Sequence, residues 1–285
     1  LELRVFPTSF EYHRATSVDD AVAILAANPE AKILAGGHSL IPAMKLRLAA
    51  PAMLVDLTRV SELKGVTVGP EAVTIGAMTT YDQLRDADGI AAMFPSIVEC
   101  IGVIGDQQVR ANGTVGGALA HNDPAADLTA VFLSLGGGVV AQGPNGERTI
   151  DGEELFVDLW TTSLELDEVI TKVILPVPGS ATKSAYLKHA HPASGYAVVG
   201  IAVALDSAGK ASVVVAGATS KPTHAEAAES ILAGATSLDE ATIKAAAEAA
   251  PGGLELNPSP YASEPYLAQL IKVLTSRAIT QAVSR

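Results

Sequence analysis

The stretch Ile33-Leu34-Ala35-Gly36-Gly37-His38-Ser39-Leu40 sets two glycines and two small polar residues at the end of an apolar run. Lys32 to Ala35 reads as a buried strand, and Leu40 to Lys45 as the opening of a short helical turn. A loop of this kind can turn successive backbone N–H groups inward with no side chain in the way, which makes a nest for an anionic group such as a diphosphate. A glycine pair alone is more often a plain turn. A second loop, Asn112-Gly113-Thr114-Val115-Gly116-Gly117, follows about eighty residues later. Two such loops in one domain imply one extended ligand held from two sides.

The elements around these loops are legible from their periodicity. Residues 3–6 and 10–13 look extended, and Ser17 to Asp20 reads as a capping box for a helix carrying Val18, Ala21, Val22 and Leu25 on one face. With the strand at 32–35 this makes a β-α-β unit, and Met53 to Leu57 adds a buried strand. A hairpin pattern spans 65–68 and 72–77. Helices are expected after Thr79-Thr80 and over 94–103, then a polar segment at 106–110. An apolar helix from Leu128 to Leu135 precedes a hairpin (138–141, 147–150) and a strand over 169–175. The segment Pro176 to Ser180 is the expected domain boundary. Beyond it, strands near 183–190, 196–206 and 211–219 lead to helices over 223–233, 238–250 and from Pro265. Strands followed by helices indicate an α+β fold.

Composition narrows the function. The 285 residues are 48% hydrophobic, enough for a sizeable core. Nineteen basic against 31 acidic residues give a net charge of −12, which disfavours nucleic acid. The longest apolar run, Tyr196 to Leu205, is too short for a transmembrane segment, and the chain reads as soluble and cytoplasmic, with peripheral attachment to the inner face of the cell membrane left open. The single cysteine, Cys100, lies in an apolar helical pattern and reads as a buried thiol; it cannot build an iron–sulfur or zinc site. His121, Asp123 and Asp127 lack a second cluster to complete a metal shell, so no metal site is assigned. Thr114 and Asp127 could each simply cap a helix, Lys188 could be a solvated strand residue and Tyr196 core.

The series Ala35-Gly36-Gly37-His38-Ser39, Ile75 to Thr80, Gln108 to Gly117 and Asp123-Pro124-Ala125-Ala126-Asp127 resembles the FAD-binding subunit of molybdenum hydroxylases. The match is nearest to the medium subunit of aerobic carbon monoxide dehydrogenase, with the flavin domain of xanthine dehydrogenase more distant. The resemblance extends through Tyr186-Leu187-Lys188 and Gly195-Tyr196-Ala197. It implies an FAD-binding domain over 1–178, in subdomains of about 1–57 (βαβ) and 58–178 (mixed and antiparallel sheet). A C-terminal α+β domain over 179–285 would hold a three-stranded antiparallel sheet and a helical layer.

It further implies that Ala35 to Leu40 and Thr114 to Gly117 grip the FAD diphosphate through backbone N–H groups. Asp127 would meet the sugar-phosphate side, Lys188 would lie near the flavin ring and Tyr196 would cover it. Ile104, Val169 and Ile170 would line the ring or the adenine, and Lys32, Ile33, Leu34, Gly116 and Ala120 complete the expected cofactor set. Many members carry Asn directly after Thr-x-Gly-Gly; here Ala118 removes that hydrogen bond. The implied activity is oxidoreductase electron transfer with no catalytic residue on this chain. Electrons would come from a small iron–sulfur subunit and a large molybdopterin subunit, and go to a quinone or small-molecule acceptor. Two rivals remain: a self-contained oxidase of the vanillyl-alcohol oxidase type with His38 as a covalent flavin anchor, and a non-redox nucleotide-binding module. Gly37→Asp is expected to lose flavin through steric block and repulsion of the diphosphate; normal flavin content in the folded variant would contradict the assigned loop.

Overall fold

Three parallel strands open the fold. The computed structural model describes residues 6–179, 182–206 and 210–285; residues 3–5 of the first expected strand and Ser180 of the linker lie outside them. β1 (Glu11–Arg14), α1 (Val18–Ala27), β2 (Ala31–Leu34), α2 (Leu40–Lys45) and β3 (Met53–Asp56) form a sheet of order β1-β3-β2. Ser17 caps α1 by accepting from the Asp20 N–H at 3.1 Å. The capping box is only half formed, because the Asp20 carboxylate accepts from the Thr16 N–H (2.9 Å) and faces His13.

The middle of the chain runs β4 (Val66–Val68), β5 (Ala72–Gly76), α3 (Tyr81–Arg85), α4 (Ile90–Met93), α5 (Pro95–Val103), α6 (Gln107–Asn112), α7 (Val115–His121) and α8 (Asp127–Ser134). It continues with β6 (Gly138–Gly143), β7 (Gly146–Asp151), α9 (Gly152–Leu155), β8 (Phe156–Asp158), β9 (Thr161–Thr162) and β10 (Val169–Pro176). β4-β5-β10-β6-β7 is an antiparallel sheet whose inner face shares a core with α5, α7 and α8. The expected polar segment at 106–110 is instead the start of α6, because Asp106 accepts from the N–H groups of Gln108 (2.8 Å) and Val109 (3.0 Å). Asp127 is the first residue of α8 and not its cap; Ala126 holds that position.

The last third is β11 (Lys183–Ala190), β12 (Ala197–Leu205), β13 (Ala211–Ala216), β14 (Thr223–His224), α10 (Glu226–Ala233), α11 (Glu240–Ala249) and α12 (Glu264–Val283). The expected three antiparallel strands gain a two-residue fourth, β14. This sheet is buried on both faces, which is why β12 lacks strand-like alternation of polar residues. Ala185, Val199, Ile201, Val203, Val213 and Val215 pack on α10 to α12. Tyr186, Ala202, Val214 and Ala216 join the core of the preceding region. Glu99 of α5 ties the two parts together, accepting from the Tyr186 N–H at 2.9 Å and from Gln281 of α12 at 2.6 Å. Among the described residues no helix is long and apolar enough to cross a membrane.

A second clasp joins β14 to α9 of the preceding region. His224 Nδ1 is 2.6 Å from Glu229 Oε1 and Nε2 is 2.9 Å from Glu153 Oε1. Both ring nitrogens must be protonated to donate to both carboxylates. Burial works against that charge, but Glu229 and then Glu153 outweigh it, and the His224 pKa is raised. A raised folded-state pKa stabilises the fold below the unfolded value of about 6.5, and that contribution fades as pH rises through the folded pKa. Thermal melting is therefore expected to fall from about pH 6 to about pH 8, with a flatter profile in His224→Gln. Parallel profiles for the two proteins would contradict the clasp.

Candidate functional site

The first glycine loop joins β2 to α2, and Gly37 takes the left-handed conformation (φ +74°) that bends it. Among the described residues no protein acceptor meets the N–H groups of Gly36, Gly37, His38, Ser39 or Leu40. The helix ladder begins only with Ile41 N–H donating to Gly37 O at 3.0 Å. Five successive amides are thus free to receive an anion. His38 and Ser39 are exposed, and Ile33, Leu34, Ala35 and Leu40 are half-buried behind the loop, with Lys32 exposed on β2.

The second loop packs directly on the first. A methyl at Gly36 would lie 2.9 Å from the Asn112 carbonyl carbon and 3.1 Å from Gly113 Cα, closer still to the Asn112 oxygen. A methyl at Gly117 would stand 3.6 Å from Ala35 Cβ. Here, however, the amides are engaged inside the protein. Gly116 N–H donates to Ala77 O (2.9 Å), Val115 N–H to Thr79 O (3.0 Å), and Gly117 N–H to the Thr114 hydroxyl (3.2 Å). The glycines at 116 and 117 therefore serve close packing, and the donors this loop retains are the Thr114 N–H, which meets no protein acceptor among the described residues, and the Thr114 hydroxyl hydrogen. Ala120 is exposed on α7.

A third group forms where α5, α8 and the β11–β12 loop meet. Lys188 Nζ donates to Asp127 Oδ2 (2.9 Å), Val103 O (2.7 Å) and Gly195 O (2.9 Å). Its three donors are all used, and its side chain is only 3% exposed. The other oxygen of Asp127 accepts from the Tyr186 hydroxyl at 2.5 Å. Burial pushes the Asp127 pKa up, with Lys188 and Tyr186 opposing it less strongly. Burial and the Asp127 charge push the Tyr186 hydroxyl well above its ordinary range. Tyr196 sits beside this group, half exposed, its pKa raised by burial, Asp123 and Asp127. Ile104 follows Val103 at the end of α5 and is buried.

The FAD binding domain of molybdopterin dehydrogenases matches residues 8–178, and the CO dehydrogenase flavoprotein C-terminal domain matches residues 184–282. The chain belongs to this FAD-binding family. Among its relatives, the carbon monoxide dehydrogenase medium chain of Afipia carboxidovorans is 36% identical, covering 99% of each chain. The alpha subunit of the 6-hydroxypseudooxynicotine dehydrogenase complex of Paenarthrobacter nicotinovorans is also 36% identical, covering 98% of this chain and 96% of that one. The fold matches the solved carbon monoxide dehydrogenase of Hydrogenophaga pseudoflava, the form lacking the Mo-pyranopterin moiety, with a TM-score of 0.93 at 35% identity, covering 98% and 99% of the two chains.

Against this family background, the structure brings Ala35 to Leu40 together with Thr114, Gly116 and Gly117, and separately gathers Ile104, Asp127, Lys188 and Tyr196. Ile170 and Val169 are buried in β10, where Ile170 is part of the central core. Sequence reasoning missed Tyr81 and the role of Tyr186. Tyr81 links the groups: its ring lies against Gly113, and its raised pKa reflects burial, then Cys100, Asp127 and Tyr196. For Tyr186 the signal existed, since residues two apart on a strand share a face and Lys188 was already in view. Gly36→Ala is expected to destabilise the chain by about 1–3 kcal/mol and to strip most bound flavin, read by melting temperature and flavin content. Wild-type values for both would refute the packing of the two loops.

Proposed function

We propose that this chain is the FAD-carrying, electron-transfer subunit of a molybdenum hydroxylase complex related to carbon monoxide dehydrogenase. The observation that carries the reading is the run of five unpartnered amides at Gly36 to Leu40, a cradle for a diphosphate on a chain of this family. Bound FAD would supply one- and two-electron redox chemistry. The residues of this chain hold and orient it. The first loop would take the diphosphate, with Ala35 and the Thr114 hydroxyl beside it and Lys32, Ile33, Leu34 and Ala120 flanking. Lys188, Ile104 and Tyr196 would stand at the ring side, with Asp127, bonded to Lys188, reaching from there toward the sugar-phosphate side, and Ile170 would support the ring from the core.

The proposed partners are a small iron–sulfur subunit, which delivers electrons one at a time, and a large molybdopterin subunit, where substrate is oxidised. The final acceptor is a quinone or another small molecule. The domain division proposed is 1–178 for FAD binding and 179–285 for the C-terminal part, with Lys188 and Tyr196 contributed across the boundary.

The test is the visible spectrum of the purified chain followed by acid precipitation. Yellow protein that releases FAD into the supernatant is the expected result. Colour retained in the pellet would instead make His38 a covalent anchor, and colourless protein that FAD cannot reconstitute would overturn the flavin reading. A flavin-free complex that still reduced its acceptor at full rate would overturn the electron route.

A further inference from the structure

We propose that Tyr186 is a positioning residue of the flavin site, holding Asp127 as the anion that pairs with Lys188 and so fixing the net charge beside the ring. The inference rests on the reading above, in which Lys188 and Tyr196 stand at the flavin.

Tyr186 is buried, and its hydroxyl donates to Asp127 Oδ1 at 2.5 Å while Lys188 supplies Oδ2 at 2.9 Å. A buried carboxylate keeps its charge only while its oxygens are paired. The packing protects this contact. Gly200 on β12 lies against the Tyr186 hydroxyl, and a Cβ at that position would overlap it. Gly200 also pairs in register with Lys188, so the one glycine of this apolar strand makes room for the hydroxyl.

The groups facing Asp127 are Lys188 and Tyr186 from β11, Cys100 from α5, Tyr81 from α3 and Tyr196 from the β11–β12 loop. Burial, reinforced by the Asp127 charge, raises the pKa of Cys100, of both tyrosines and of Tyr186, so these four stay neutral near pH 7. Among the acidic groups of the cluster, Asp127 is then the one whose charge can change. Ionised, it cancels Lys188. Without the phenol hydroxyl, Oδ1 has lost its donor in apolar surroundings and protonation is favoured at a higher pH. The cluster then carries the uncancelled positive charge of Lys188, which favours the reduced, more negative flavin and moves its midpoint potential upward.

The experiment is a redox titration of the FAD-loaded chain from about pH 5.5 to about pH 8.5 for the wild type, Tyr186→Phe and Asp127→Asn. Asp127→Asn is expected to be more positive than the wild type throughout. Tyr186→Phe should coincide with Asp127→Asn at low pH and return toward the wild type as pH rises through the new Asp127 pKa. A merely structural role for the phenol would not produce that convergence. A Tyr186→Phe potential that tracks the wild type at every pH overturns the proposal, and so does an unshifted Asp127→Asn. Wild-type chain that fails to retain FAD overturns the underlying flavin reading instead.

Discussion

The ammonium of Lys188 is the constraint around which the site region is built. A charge this deeply buried costs several kcal/mol unless each donor is satisfied. Here the three donors meet three acceptors from three separate parts of the chain: the end of α5, the start of α8 and the β11–β12 loop. Moving any one of them strands a buried donor. The residues that follow in sequence are placed as a consequence. Ile104 comes directly after Val103, and Tyr196 directly after Gly195. Removing one partner of such a pair costs about 3–5 kcal/mol, so the cluster is as much a bolt between the two parts as a feature of the proposed cofactor site.

That bolt works because the C-terminal sheet is not a free-standing layer. One face of β11 to β13 covers its own helices and the other completes the core beneath α5 and α8. The backbone reinforces the join, with Gly217 N–H donating to Pro124 O at 2.7 Å and Ala197 N–H to Ala125 O at 3.4 Å. A ligand reaching from the loops of the first part to Lys188 and Tyr196 of the second, as proposed, would meet a single joined frame.

The two glycine loops look alike in sequence and do different work. In the first, Gly37 bends the chain so that its amides point away from every protein acceptor. In the second, the glycines allow α7 to start against Ala77 and Ala35, and the amides close onto Ala77, Thr79 and Thr114. Glycine supplies either an open cradle or close approach. Which of the two it supplies depends on whether another strand lies within hydrogen-bond reach.

The sequence by itself determined the order and type of the long periodic elements, from the Ser17-capped helix to the two-face-buried strands of the last third. Its four motifs in order also determined the family. Those signals are local, carried by apolar spacing, caps and loop composition. Short elements without apolar periodicity, such as α6 and α9, left no such trace. The tertiary structure alone decided the partners of Asp127 and Lys188. Both residues were legible as candidates, but their pairing spans 61 positions and depends on how the C-terminal sheet docks on α8. Tyr81 and Tyr186 became part of the site for the same reason: a buried charge selects its neighbours by distance in space, and spacing along the chain does not encode that distance.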